Sequence, residues 1–332
     1  MAIKHIKSIC LAIAVISLGL VSQVSSAQDF PSQPLTVIVP FTGGGATDVL
    51  ARVIADGLSK ELNQPVVVAN IPGAGGSVGQ AKAAKAVPNG YTMLFGNLGT
   101  LAAQASLYSN LPYNILENFT PIASVGDAPQ VISIRSNLPV KTYEEFVEYA
   151  KQNQTTMNFG TAGVGSGSFL GGVVLNAAIG VKIQPVHYRG AAQTIADLMA
   201  GQIDYAIESS STVEGSYSTG KTRGIGVMRD KRVSILPEVQ ATGETKFPVN
   251  YDIWNMILVP KGVPQPILEK LNSAINRVLT QPEMMQRYEK MGLSLPTQTN
   301  RSLKGSAELL TTEVKNWNRL LKNAGVEPQT SQ

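Results

Sequence analysis

The chain has 332 residues, with 27 Lys and Arg against 23 Asp and Glu, two histidines, one cysteine and a formal net charge of +4. So small a positive balance gives no sign of nucleic-acid or membrane-surface binding. One cysteine, Cys10, with the histidines His5 and His187, excludes a disulfide framework and a Cys/His zinc site.

Residues 1–27 read as an export signal. Lys4 and Lys7 make a basic start, Ile9 to Val21 is an apolar run too short to span a bilayer, and Ser25, Ser26 and Ala27 supply small residues for cleavage. A lipid anchor would need a cysteine at the cut, whereas Cys10 lies inside the apolar run. A soluble exported protein starting near Gln28 is therefore expected, without a thiol, with His187 as its one imidazole and with a charge reduced to +2.

Short apolar runs then alternate with helical patterns. "LTVIVP" (35–40), "VVVAN" (66–70) and "YTMLFG" (91–96) predict buried strands, and Leu50, Val53, Ile54, Gly57, Leu58 and Leu62 mark one face of a helix between the first two. This βαβ grammar predicts a mostly parallel sheet. After a long extended segment, 120–139, Thr142 and Glu145 form a capping signature. Further strands are predicted at "MNFG", "IQPVHY", "IDYAIE" and "TRGIGVM". "YDIWNMILVP" (251–260) is a second long extended run, followed by a helix through Ile267 to Leu279, a Pro282-opened helix and one through Leu309 to Leu320. Two long runs bracketing a central block predict two α/β domains joined by two crossover strands: 28–125 with 251–332, and 126–250.

Two glycine-rich strand-to-helix turns stand out, one in each predicted domain: "PFTGGGATD" from Pro40 and "GTAGVGSGS" from Gly160. Such turns sit at the carboxyl ends of parallel strands, and each opens a helix whose free N–H groups favour an anion. Gly43-x-Gly45-x-x-Asp48 places an acid where a dinucleotide fingerprint needs glycine or alanine, and no phosphate-loop Gly-Lys-Ser/Thr is present, so no nucleotide is expected. His187 has no nucleophile elbow to serve and reads as a packed or capping residue. Ser209 to Ser211 read as a turn capping the next helix, and Asp197 and Asp204 as solvated positions. No catalytic residue, cofactor or metal is expected.

Together these segments resemble the periplasmic receptors of tripartite tricarboxylate transporters, also called Bug receptors. The likeness is carried in order by "VIVPFTGGGATDVLAR", "NQPVVVANIPGAGGSVG", "NGYTMLFGNLGTLA", "SLYSNLPY", "NFGTAGVGSGS", "YRGAAQ", "LMAGQIDYAIES" and "ILVPKGVPQPILEKLN". The resemblance implies a two-lobed, type II-like periplasmic binding protein that closes on a small organic acid, be it a dicarboxylate, an aromatic carboxylate or an amino acid. A working monomer delivering its ligand to a membrane permease would follow; a sensory receptor and, more remotely, a periplasmic α/β hydrolase are the alternatives. Carried over by position, the first-lobe contacts are Phe41, Thr42, Gly44, Gly45, Thr47, Asp48, Asn97 and Thr100. Those of the second lobe are Ala162, Gly163, Ser166, Ser168, Arg189, Gly190, Ala192, Gln193 and Glu208. The chain departs from the family's usual pattern at Thr42, Gly43, Val164, Phe169 and Glu208. For Glu208 two readings stand, a ligand contact or a salt bridge to Arg189; for Trp254, a cleft wall or interlobe packing.

Overall fold

The computed structural model describes residues 30–188 and 190–330; the expected signal peptide and Arg189 lie outside them. In the first lobe β1 (Leu35–Val39), β2 (Val66–Asn70) and β3 (Thr92–Asn97) are parallel, in the order β2-β1-β3. α1 (Ala46–Leu62) and α2 (Ser77–Ala84) make the crossovers. The apolar face of α1 buries Leu50, Ala51, Ile54, Ala55 and Leu58, as its period predicts, and the helix ends at Asn63 in a left-handed conformation with φ of 50°. After β3 a single π turn (Gly99–Ala103) runs into the short helices α3 (Gln104–Leu107) and α4 (Ile115–Asn118).

The next element decides the architecture. β4 (Phe119–Arg135) is one strand of 17 residues, buried along nearly its whole length. Residues 119–129 pair antiparallel with β9 (Asp252–Pro260), which in turn pairs with β3. From Gln130 onward β4 pairs instead with β7 (Tyr205–Ser209), and from Val131 with β8 (Thr222–Val227). β5 (Asn158–Thr161) and β6 (Gln184–His187) continue that second sheet in parallel with β7. The result is one nine-stranded path, β2-β1-β3-β9-β4-β7-β5-β6, with β8 on β4. Register shifts at Pro121/Ala123, Ser124/Gly126 and Ile132/Ser133 bend β4 as it passes from one lobe to the other.

Helices α5 (Tyr143–Asn153), α6 (Gly167–Ile179), α7 (Ala191–Met199) and α8 (Glu214–Tyr217) belong to the second lobe; α9 (Gln265–Leu279), α10 (Pro282–Lys290) and α11 (Leu303–Asn323) return to the first. The capping signature of α5 is built: Thr142 accepts from the Glu145 N–H at 3.2 Å and the Glu145 carboxylate accepts from the Lys141 N–H at 2.6 Å. One apolar cluster fills a face of the first lobe, where α1 and α9 pack through Leu50, Ile54, Leu271 and Ile275. A second runs through both lobes, with Phe119, Phe159, Tyr205, Trp254 and Trp317 among its members. Trp254 belongs there: it is 6% exposed, and its indole N–H and that of Trp317 both donate to Glu313 Oε2 at 3.2 Å.

Three local expectations are corrected. His187, read as packed or capping, is exposed with Gln184 and Val186 on β6, the strand at the end of the sheet. Asp204 is an inner brace, paired with Arg135 at 3.0 Å and accepting from the Asn158 N–H at 2.9 Å. The Ser209–Ser211 turn does not cap α8, whose first turn has no side-chain cap; Ser210 Oγ instead donates to Gly292 O at 3.4 Å, across to the first lobe.

Where the two long strands cross between lobes, a charged cluster holds them to the segment after α10. Asp127 and Ser294 exchange main-chain hydrogen bonds at 3.0 and 2.9 Å. Arg229 Nε donates to both Asp252 oxygens at 2.7 and 2.9 Å, and its Nη1 donates to Ser294 Oγ at 2.6 Å. Burial, reinforced by Asp252 and opposed by Arg229, raises the Asp127 carboxyl to about 7. A raised folded pKa means that the native state holds this proton to higher pH than the unfolded chain does, so stability falls as pH rises from about 4 to about 7. Asp127→Asn should therefore flatten the decline in melting temperature between pH 5 and pH 8 and leave the variant a few degrees more stable than wild type at pH 8. Identical pH profiles in differential scanning calorimetry would exclude a buried neutral carboxyl here.

Candidate ligand-binding cleft

Turns from both lobes converge on one cavity of about 410 Å³. From the first lobe come Pro40, Phe41 and Thr42 after β1, Asn97 and Thr100 after β3, and the loop Pro72 to Gly76 after β2; from the second come Ala162 and Val164 to Gly167. None of these described wall residues carries a charge. A larger depression of about 1000 Å³ lies on the outer face of the first lobe, between α2 and strands β1 to β3, and receives no residue from the second lobe.

The glycines of the first turn have separate reasons. Gly44 has φ of 90°, a conformation an L side chain resists, while a Cβ at Gly44 or Gly45 would meet no atom within 4 Å. The turn is thus bare and exposed. Gly45 starts α1 with no side-chain cap, leaving the first-turn N–H groups of the helix to an outside acceptor. Asp48 faces the other way. It is 2% exposed and accepts from the Gly44 N–H at 2.8 Å, Arg52 Nε at 3.0 Å and Asn70 Nδ2 at 2.8 Å. Burial alone would raise its pKa, but the donations from Arg52, Gly44 and Asn70 outweigh it and hold the carboxyl below its ordinary range. Asp48 therefore ties the turn to α1 and β2.

Asn97 links two turns. Its main-chain N–H donates to Thr100 Oγ1 at 3.1 Å, its Oδ1 accepts from the Thr100 N–H at 3.2 Å, and its Nδ2 reaches Thr47 Oγ1 at 3.1 Å. In the second lobe Ser166 caps α6, accepting from the Phe169 N–H at 3.2 Å, and Gly163 and Gly165 have φ of 108° and 81°. Two main-chain donors of this turn are already engaged: the Ala162 N–H with Ser168 Oγ at 2.9 Å, and the Gly163 N–H with Thr161 Oγ1 at 3.2 Å. The Ser166 and Ser168 hydroxyls stand 3.1 Å apart beside them. The lobes touch here, since a Cβ on Gly99 would fall 2.8 Å from Gly165 O.

Of the carried-over residues, Phe41, Thr42, Asn97, Thr100, Ala162 and Ser166 line the cavity, and Gly44, Gly45, Thr47, Gly163 and Ser168 belong to the same turns. Gly190, Ala192 and Gln193 open α7; Ala192 and Gln193 are exposed and the helix has no side-chain cap, but none of the three lines this cavity. Glu208 is 7% exposed, and neither of its oxygens has a hydrogen-bond partner among the described residues. Burial pushes its carboxyl above the usual range, with the Ser133 hydroxyl opposing. His187 is exposed, its Nδ1 2.8 Å from Thr161 Oγ1 and its ring 5.6 Å from that of Phe169. Sequence reasoning missed the third wall, Pro72 to Gly76 with Gln104 and Tyr108. The signal was present: "IPGAGG" is a glycine-rich run between a strand and a helix, as in the two turns that were singled out. Gly73, Ala74, Gly75 and Gly76 all have positive φ, and Gln104 Nε2 holds Gly75 O at 3.2 Å.

A bent sheet shared by two α/β lobes, with glycine turns from each facing one uncharged cleft, defines a bilobal solute-binding protein of the periplasmic type. The tripartite tricarboxylate transporter family receptor model matches residues 50–326, and the chain belongs to that family. It is 35% identical over 304 residues to the UPF0065 protein in the TAR-I ttuE-ttuC' intergenic region of Agrobacterium vitis, covering 91% of this chain and 88% of that one. Its fold is similar to that of the periplasmic binding protein BugD, with a TM-score of 0.78, 32% identity and coverage of 90% and 100% of the two chains. It is likewise similar to MatC of Rhodopseudomonas palustris with bound malate, with a TM-score of 0.76, 31% identity and coverage of 88% and 100%. The protein is a solute-binding receptor, and its family is not a class of enzymes.

Replacing Asp48 by Asn keeps the shape of the side chain but removes the charge from three donors. Asp48→Asn should lower the unfolding free energy by about 1–3 kcal/mol, read from urea titration. An unchanged midpoint would show that the Gly44, Arg52 and Asn70 contacts do not hold the turn.

Proposed function

We propose that this receptor binds a small dicarboxylate in the cleft between residues 28–125 with 251–332 and residues 126–250, and hands it, as a periplasmic monomer, to the permease of a tripartite transporter. The observation that carries the reading is a cavity whose described walls have no charged side chain, yet present hydroxyls, amides and bare strand-to-helix turns from both lobes. Neutral dipoles fixed in a partly dry cleft stabilise an anion without the cost of an opposing buried cation. With Asp48 braced inward, no described carboxylate on the wall repels such a guest.

In this reading Thr42, Asn97, Thr100 and Ser166 contact the ligand directly. Phe41 and Ala162 shape the wall, and the α1 turn (Gly44, Gly45, Thr47) and the 163–168 turn (Gly163, Ser168) supply further donors. Arg189, Gly190, Ala192 and Gln193 would join on closure. Binding selects the closed arrangement, and that shape is what a permease reads. The role is capture without turnover. The malate in the similar MatC structure supports a dicarboxylate over a larger acid.

Isothermal titration with four- to six-carbon dicarboxylates tests this. At about a hundred times its dissociation constant a true ligand stabilises the fold by roughly 2.7 kcal/mol. Asn97→Asp, which sets a negative charge on the wall, should weaken that ligand by more than about tenfold, which is about 1.4 kcal/mol. Binding of neutral or cationic solutes, with no response to any acid, would overturn the assignment.

A further inference from the structure

Tyr108 stands where the cleft meets a second cavity. Its backbone is held from two directions: its N–H donates to Gln104 O at 3.1 Å, and the C-terminal segment adds a short parallel bridge alongside. In that bridge the Gln329 N–H donates to Leu107 O at 2.8 Å and the Ser109 N–H to Gln329 O at 3.0 Å. The main chain is thus pinned, and the ring can move only by rotation about its own side-chain bonds.

One side of the ring closes the cleft beside Gly75, where a Cβ would lie 3.0 Å from the Tyr108 hydroxyl. The other side faces a cavity of about 310 Å³ whose walls mix Leu101, Leu111, Ile115 and Val314 with Ser109 and Asn114. Among the described residues only Thr100 and Tyr108 line both spaces. Thr100 is 5% exposed and is tied to Asn97 through its N–H and hydroxyl, so it cannot swing aside. Tyr108 is half-buried, and its hydroxyl has no hydrogen-bond partner among the described residues.

We infer that Tyr108 is a specificity-determining residue, a partition that sets the greatest length of ligand the cleft accepts by closing it off from a side cavity with both apolar and polar walls. The inference rests on the carboxylate reading of the cleft. A dicarboxylate anchored in the turns of the second lobe directs its far end at the Tyr108 ring. A short acid stops before it, with the free phenol as a donor, and a longer chain meets it. With the ring removed, the extra methylenes would pass along Leu101, Leu111 and Ile115 while the far carboxylate reached Ser109 and Asn114; each methylene so buried contributes about 0.8 kcal/mol, close to fourfold in affinity.

The test is calorimetric titration of linear α,ω-dicarboxylates from four to eight carbons against wild type, Tyr108→Ala and Tyr108→Phe, each with its melting curve recorded. Wild type should lose affinity sharply beyond one length. Tyr108→Ala should move that limit upward by at least two carbons, binding the first excluded acid about tenfold more tightly than wild type does, and Tyr108→Phe should keep the wild-type limit. A folded Tyr108→Ala with an unchanged limit, or a Tyr108→Phe that shifts it, overturns the proposal. If the alanine variant does not fold, Tyr108→Leu, too short to reach Gly75, is read by the same criterion. If wild type binds none of these acids, it is the carboxylate reading that fails. The partition is then judged from a crystal structure of the variant, where one continuous void supports it and two separate voids overturn it.

Discussion

Both lobes depend on a single antiparallel pairing, that of β4 with β9. Residues 119–129 of β4 complete the sheet of the first lobe against β9, while residues from 130 onward open the sheet of the second between β7 and β8. A strand that belongs to two sheets cannot be moved within one without strain in the other. The register shifts along it relieve this locally by bending the strand. The cluster of Asp127, Asp252, Arg229 and Ser294 and the shared Glu313 contact of the two tryptophans then hold the bend from either side. The lobes are joined firmly along these strands, and the cleft lies at the strand ends beyond them.

This placement explains the chemistry of the site. Carboxyl ends of parallel strands deliver turns whose main-chain dipoles point outward, and the glycines keep side chains from covering them. The buried Asp48 is held to the scaffold by the half-exposed Arg52, by Asn70 and by the Gly44 N–H, and Arg52 in turn reaches Asn70. Charge therefore serves the shape of the turn, and the described walls of the cavity are neutral. The second lobe is less bare than its glycines suggest, because Ser168 and Thr161 occupy two of its main-chain donors and leave hydroxyls in their place. A hydroxyl both donates and accepts, so such a wall meets a carboxylate and a hydroxyl substituent equally well.

Much of this was legible in the sequence. Apolar period and glycine placement gave the nine described strands to within a few residues, β4 and β9 among them as long extended runs, and the helices α1, α5, α9, α10 and α11. These features are local, and local steric and hydrophobic preference is written residue by residue. Tertiary structure alone decided which side each polar group faces. Asp48, which the family resemblance places among the ligand contacts, also braces its own loop, and Glu208 is buried with no hydrogen-bond partner among the described residues. Asp204 looked solvated and is instead held by Arg135 and the Asn158 N–H. The glycine run of the Pro72 to Gly76 wall was legible, but its place on the cleft, and that of Tyr108, depends on Gln104 and Gln329, partners 29 and more than 200 residues away. The sequence determined which elements form and where bare backbone is available. Long-range packing determined which groups meet across the cleft, because contacts between distant segments are a property of the folded whole and leave no periodic trace in the chain.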